Sequence, residues 1–173
     1  YSIAKIAGVK MCMEYSKQYK LDYKTLMPAN MFGSNDNYDL KSSHFFPALI
    51  KKIHMAKIKK EKSVTLWGNG KPKRELLYVE DFADACVFFM KKKTKESFIN
   101  IGSGVEKSIE QFAKYIMKKL KVNLKIKYDL SKPNGMKRKK LDLKIANKYG
   151  WKAKTKLDKA FIEVYSDYLK SNS

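Results

Sequence analysis

Residues Val64–Val79, VTLWGNGKPKRELLYV, read as a strand, a Gly68-Asn69-Gly70 turn and a second strand. Directly after them, Glu80 and Asp81 open EDFADACVFFMKK (80–92), a helix whose first-turn acids suit the positive end of its dipole. Strand followed by helix is the unit from which parallel sheets are built, and the pattern continues in both directions. Downstream, SFINIG (97–102) is strand-like, and Ser108 with Gln111 makes a capping box ahead of an amphipathic helix at 109–120. LKIKYD (124–129) is strand-like, and two short helices are expected near 142–149 and 157–170. Upstream, HFFPALIKKIHMAKIKK (44–60) has helical spacing with Pro47 in its first turn, and SNDNYDLKSS (34–43) is polar and turn-rich. Before that, Thr25–Met27 reads as a buried strand broken by Pro28 and followed by Asn30 and Gly33. Strand ends of this kind are where open α/β sheets bind ligands. Residues 1–20 form a helix apolar nearly all round, expected to be buried on two sides. The order describes an α/β protein with a largely parallel sheet. A sheet that starts on a buried helix has no first strand, so the chain is expected to be truncated at its N-terminus.

At 173 residues, 44% of them hydrophobic, the chain has enough apolar side chains for one or two packed cores and is not a disordered protein. It contains no run of about 18 apolar residues and no basic-then-apolar start, so a soluble, cytoplasmic protein is expected, without membrane partners. Cys12 and Cys86 sit in apolar helical stretches and are expected to be free thiols rather than a disulfide. The net charge of +21 would suit a nucleic-acid-binding module, the rival class. Its lysines, however, are spread along the chain, and only Arg74 and Arg138 offer the planar fork that reads bases or clamps phosphates. No nucleic-acid partner and no metal are therefore expected.

Tyr1 and Lys5 stand four apart on the first helix, so a phenol and an ammonium share one face. A neighbouring cation makes a phenol a better proton donor. Spacing alone proves nothing, because Tyr115/Lys119 and Tyr128/Lys132 repeat it.

Four stretches, in order, resemble the extended short-chain dehydrogenase/reductase enzymes that act on nucleotide sugars. Tyr1-Ser2-Ile3-Ala4-Lys5 is similar to that family's Tyr-x-x-x-Lys, and MPANMFGSNDN (27–37) to its strand end beside the nicotinamide. WGNGKPKRELLYVEDFADA (67–85) resembles a Gly-x-Gly…Arg-Glu signature of many nucleotide-sugar members. NIGSG (100–104) and SKPNGMKRKKLD (131–142) resemble the branch that epimerises and reduces GDP-4-keto-6-deoxy-mannose.

The resemblance implies the C-terminal part of a Rossmann-type parallel sheet with a small α/β substrate-binding domain, the N-terminal strands being absent. Residues 1–33 would be the remainder of the dinucleotide-binding domain and 34–173 mainly the substrate-binding domain, with 74–103 returning to the Rossmann-type sheet. It further implies NADP as cofactor, a GDP-sugar as substrate and a homodimer. Tyr1 would protonate the sugar's C4 oxygen, Lys5 would hold the nicotinamide ribose, and His44 would be the acid/base group for C3 and C5. Pro28, Ala29, Asn30 and Met31, with Lys5 and His44, would border the cofactor; Lys52, Trp67, Arg74, Asn134 and Arg138 would meet the substrate. Lys52 stands where the family has Arg, Ser34 where it has Pro, Tyr78 where it has His, and Asn134 where it has Asp. The Gly-rich phosphate turn belongs upstream of residue 1, so this chain alone is expected to be inactive. Another nucleotide-sugar 4-epimerase or 4-reductase on the same scaffold is the alternative within enzymes.

Overall fold

The computed structural model describes residues 1–171 of the 173. Its elements run α1 (Ser2–Tyr19), β1 (Thr25–Pro28), β2 (Asn30–Phe32), α2 (Phe45–Ile58), β3 (Ser63–Trp67), β4 (Lys73–Tyr78), α3 (Val79–Lys91), β5 (Phe98–Ile101), β6 (Glu106–Ser108), α4 (Ile109–Leu120), β7 (Lys125–Asp129), β8 (Arg138–Lys139), α5 (Lys144–Lys148) and α6 (Leu157–Ser171). The α/β class is borne out: β1 pairs with β5, β3 with β7 and β4 with β8, all parallel, while β4 and β6 are antiparallel. The described chain divides into two compact units, one of residues 1–31, 76–104 and 141–155, the other of residues 32–75, 105–140 and 156–171.

The first unit is built on the β1–β5 pair, in register from Thr25 with Phe98 to Pro28 with Ile101. Ile99, Ile101 and Leu77 bury against Ala85 and Phe89 of α3 and against Ala146 and Trp151. The Trp151 indole donates to Asp84 at 2.8 Å, so the ring is buried without stranding its N–H. Asp81, buried at the start of α3, accepts from the Thr155 amide at 3.2 Å and its hydroxyl at 3.0 Å.

Helix α1 forms as expected, but its expected burial on two sides is corrected: none of its residues is buried, and Ile3 and Ile6 are 82% and 60% exposed. Residues 8, 9, 12, 13 and 16 are half-buried, a stripe at helical spacing along one face. Apolar composition states what a helix can bury, and burial still needs a second surface, which the described residues do not supply. Cys12 and Cys86 are free, as expected.

The second unit packs α2 against α4 beside the parallel pair β3–β7. Phe46 and Phe112 meet edge to face, their centroids 5.6 Å apart, and Phe45 meets Phe112 at 5.7 Å. Ser108 caps α4 with the capping box legible in the sequence: its hydroxyl accepts from the Gln111 amide at 3.1 Å, and the Gln111 side chain accepts from the Ser108 amide at 2.8 Å. The strands either side of Gly68-Asn69-Gly70 belong to different sheets; β3 joins β7 and the first half of β4 joins β6 and β8. Their turn is therefore a junction rather than a hairpin loop, held by Gly68 N–H on Asp129 O (2.8 Å) and by Glu110 N–H on Gly70 O (3.0 Å).

Candidate functional site

A cleft of about 320 Å³ opens in the second unit where the α2 N-terminus, the end of β3, the start of β4 and the loop after β7 converge. His44, Lys52, Trp67, Arg74 and Asn134, all picked out in the sequence, line it together. Lys41 and Ser43 line it as well, and no carboxylate does.

His44 occupies the N-cap position of α2 with extended backbone, and its carbonyl accepts from the Ala48 amide at 3.1 Å. Its ring makes no capping bond, so the imidazole is not spent on the helix end. The preceding loop is fixed by its own side chains: Asp39 accepts from the Lys41 and Ser42 amides and the Ser42 hydroxyl, each at 3.0 Å, and Asn37 donates to the Ser42 hydroxyl at 2.9 Å. The many Asn, Asp and Ser residues of this loop thus build the turn that delivers His44. Burial pushes the Asp36 carboxyl up, opposed by the Asn37 amide and by the His44 ring nearby.

Lys52, two turns into α2, donates to Thr65 O at 3.3 Å and lies 5.2 Å from the Trp67 ring centroid; Lys132 lies 5.7 Å from the same ring. Burial pushes the Lys52 ammonium down, and the Asp129 carboxylate opposes that shift. Trp67 is 53% exposed, which decides its reading: a core tryptophan would be covered, and this one presents its ring.

Arg74 is anchored rather than free. One guanidinium nitrogen donates to Lys73 O and Met136 O, both at 2.8 Å, and the other sits 3.3 Å from where a Cβ on Gly135 would be. Asn134 accepts from the Asn69 amide at 2.8 Å, docking the 132–135 loop onto the Gly turn. Gly68 has φ +65°, and a Cβ there would fall 2.3 Å from the Asn134 side-chain oxygen. Arg138 lies outside the cleft lining, its guanidinium gripping Glu106 through Nε at 2.9 and 3.0 Å and through a terminal nitrogen at 2.5 Å. His54 bonds the Tyr165 hydroxyl at 2.8 Å, consistent with a packing role.

Tyr1 and Lys5 lie in the first unit. The Lys5 ammonium is 5.5 Å from the Tyr1 ring centroid, and Tyr1 is 95% exposed. Tyr115 and Lys119 show the same arrangement at 5.6 Å, but there Asp158 takes the phenol at 2.8 Å. The spacing alone thus produces the contact; what differs is that the Tyr1 side chain is exposed. In the 28–31 segment Ala29 is buried and its N–H already donates to Ile101 O at 2.8 Å, while Met31 is 38% exposed. Pro28 has no N–H and the Ala29 N–H is used within the sheet, so neither residue has a backbone donor to offer a ligand. Ser43 was not singled out in the sequence, where the available signal was its place beside His44. Among the described residues no cluster of His, Cys, Asp and Glu could hold a metal, and no helix is long and apolar enough to cross a membrane.

A family model described as NAD dependent epimerase/dehydratase family matches residues 1–102. A GDP-L-fucose synthase from Sinorhizobium fredii is 43% identical over 169 residues, 98% of this chain and 54% of that protein. The GDP-L-fucose synthase of Escherichia coli is 36% identical over 180 residues, 99% of this chain and 56% of that protein. Among solved structures, a GDP-mannoheptose C4 reductase from Campylobacter jejuni with NADP bound superposes with a TM-score of 0.81 at 27% identity, covering 96% of this chain and 59% of that one. The chain spans about half the length of the curated relatives it matches.

Proposed function

This chain belongs to the NAD-dependent epimerase/dehydratase family, and from that premise we propose that the whole protein carrying it epimerises GDP-4-keto-6-deoxy-D-mannose at C3 and C5 and reduces the 4-keto group with NADPH, giving GDP-L-fucose. The cleft of the second unit carries the reading. An exposed indole suits a base, Arg74 and Lys52 suit a diphosphate, and an uncommitted imidazole suits carbon-acid chemistry, all lining a site without carboxylates.

The first unit reads as the remainder of a dinucleotide-binding domain and the second as the substrate-binding domain. In the proposed reaction the 4-keto carbonyl acidifies the hydrogens at C3 and C5. His44 serves as the acid/base group on one face of each carbon, and a second acid/base group of the whole protein, on the opposite face, completes the inversion. Tyr1 gives its phenolic proton to the C4 oxygen during reduction, and Lys5 holds the nicotinamide ribose. NADPH supplies the hydride when bound. The residues suit such a group in part: the Tyr1 and Lys5 side chains are exposed, whereas the 28–31 segment meets it through side chains such as Met31 and not through the Ala29 amide. Arg74, Lys52, Trp67 and Asn134 hold the nucleotide, and Arg138 supports their loop from its bond to Glu106. The whole protein is read as a cytoplasmic homodimer with a GDP-sugar as its partner and no nucleic acid.

The test is His44→Gln in the whole protein. Exchange of the C3 and C5 hydrogens with deuterated water, followed by NMR, should fall by about 10²-fold or more, the usual scale of a lost acid/base group, while NADPH oxidation by an already epimerised ketosugar persists. Normal exchange in this variant would take the acid/base role away from His44, and no exchange in the parent would make the protein a plain 4-reductase or 4-epimerase.

A further inference from the structure

The cleft's side chains divide by hydrogen-bonding sense. Lys41, Lys52 and Arg74 can only donate, and so can the Trp67 indole. Asn134 adds an NH₂, its side-chain oxygen already accepting from the Asn69 amide at 2.8 Å. Ser43 and His44, adjacent in sequence, are lining side chains that bring acceptors of their own. Ser43 is also anomalous by itself. Its Oγ is shut off from solvent and has no hydrogen-bond partner, although the residue is pinned by its N–H on Asp39 O at 2.8 Å. The neighbouring Ser42 hydroxyl, by contrast, is used twice within the loop, by Asp39 and by Asn37. A buried hydroxyl without a partner is costly, and rotation about the Cα–Cβ bond would turn this one into the cleft that Ser43 lines, where a polar ligand can partner it.

We propose that Ser43 is a substrate-positioning residue that accepts a hydrogen bond from a hydroxyl of the sugar, so that a nucleotide sugar lies in the cleft with its diphosphate toward Arg74, Lys52 and Asn134 and its sugar toward Ser43 and His44. The proposal rests on the nucleotide-sugar reading above and deepens it. Phosphate oxygens are acceptors and need the donor side of the cleft; sugar hydroxyls bring protons to donate and need the other. The same placement sets the sugar ring beside the imidazole that would act on its carbons.

The experiment is calorimetric titration of the whole protein and of its Ser43→Ala variant with GDP and with GDP-mannose, alongside thermal melting of both proteins. Ser43→Ala should bind GDP as the parent does and lose roughly three- to tenfold in affinity for GDP-mannose, the scale of one neutral hydrogen bond. Its melting temperature should hold or rise, because an unpartnered hydroxyl has been removed. Equal losses for both ligands, an unchanged preference for GDP-mannose over GDP, or a lowered melting temperature with both affinities intact would each overturn the proposal. If the parent protein binds neither ligand, the nucleotide-sugar reading itself fails and the Ser43 proposal falls with it.

Discussion

Single atoms decide how the Gly turn works. Gly68 adopts φ +65°, which a side chain resists, and a methyl there would also collide with the Asn134 side chain, whose oxygen would lie 2.3 Å away. Gly68→Ala should therefore push the 132–135 loop off the turn, breaking the Asn69–Asn134 bond and the seat of Arg74 on Gly135 together. We expect a loss of about 1–3 kcal/mol in denaturant unfolding, from backbone strain and one lost bond. An unchanged midpoint would show the loop to be loosely attached. The sequence shows why a glycine occurs here only in part: the Gly-Asn-Gly signal marks a turn, but the group that forbids a Cβ comes from a loop more than sixty residues later. Ser43 was hidden for the same reason, since whether its hydroxyl has a partner depends on folded neighbours.

Elements whose causes are local were legible. The Ser108 capping box, Pro47 in the first turn of α2 and the acids at the start of α3 each fix a helix end from adjacent residues, and those helices stand where expected. Strand pairing is not local. Neither β6 nor β8, three and two residues long, was read, and nothing in residues 64–79 announces that β3 and β4 go to different sheets. The segment 141–155, which joins the first unit, was likewise invisible, because its membership depends on Trp151 and Ala146 finding the α3 and β5 side chains. Its attachment suggests a pH test. Glu96, ahead of β5, accepts from the Tyr149 hydroxyl and from Lys148 at 2.9 Å, and these bonds, Tyr149's foremost, draw its carboxyl down to about 2 from an ordinary 4.5. A carboxyl whose folded value is depressed stabilises the fold fully above the unfolded value and loses that contribution as pH falls toward the folded one. Melting of Glu96→Gln should thus lie a constant, small interval below the parent above about pH 5 and converge with it between about pH 4.5 and 2. Parallel curves down to pH 2 would show that the Glu96 bonds do not matter to stability.

Over the whole molecule the loudest number, a net charge of +21, says least about function. Charge spread over many lysines attracts any polyanion, and that attraction comes from releasing counterions, so it must collapse with salt. A shaped cleft behaves otherwise. A GDP held by Arg74, itself anchored through Lys73 O and Met136 O, with its base on Trp67, would draw on directed bonds and stacking and release few counterions. The two modes separate in one titration between 50 and 200 mM salt. Duplex DNA neutralised at about six phosphates should lose on the order of 10³-fold in affinity, while GDP should lose no more than about fivefold. Arg74→Lys should then weaken GDP by about tenfold, because a point charge cannot reproduce the fork, yet leave DNA binding almost unaltered, since one cation in so many is exchanged for another. If GDP binding instead falls with salt as steeply as DNA binding and ignores Arg74→Lys, the cleft is merely one more part of a positive surface, and the charge would be the function after all.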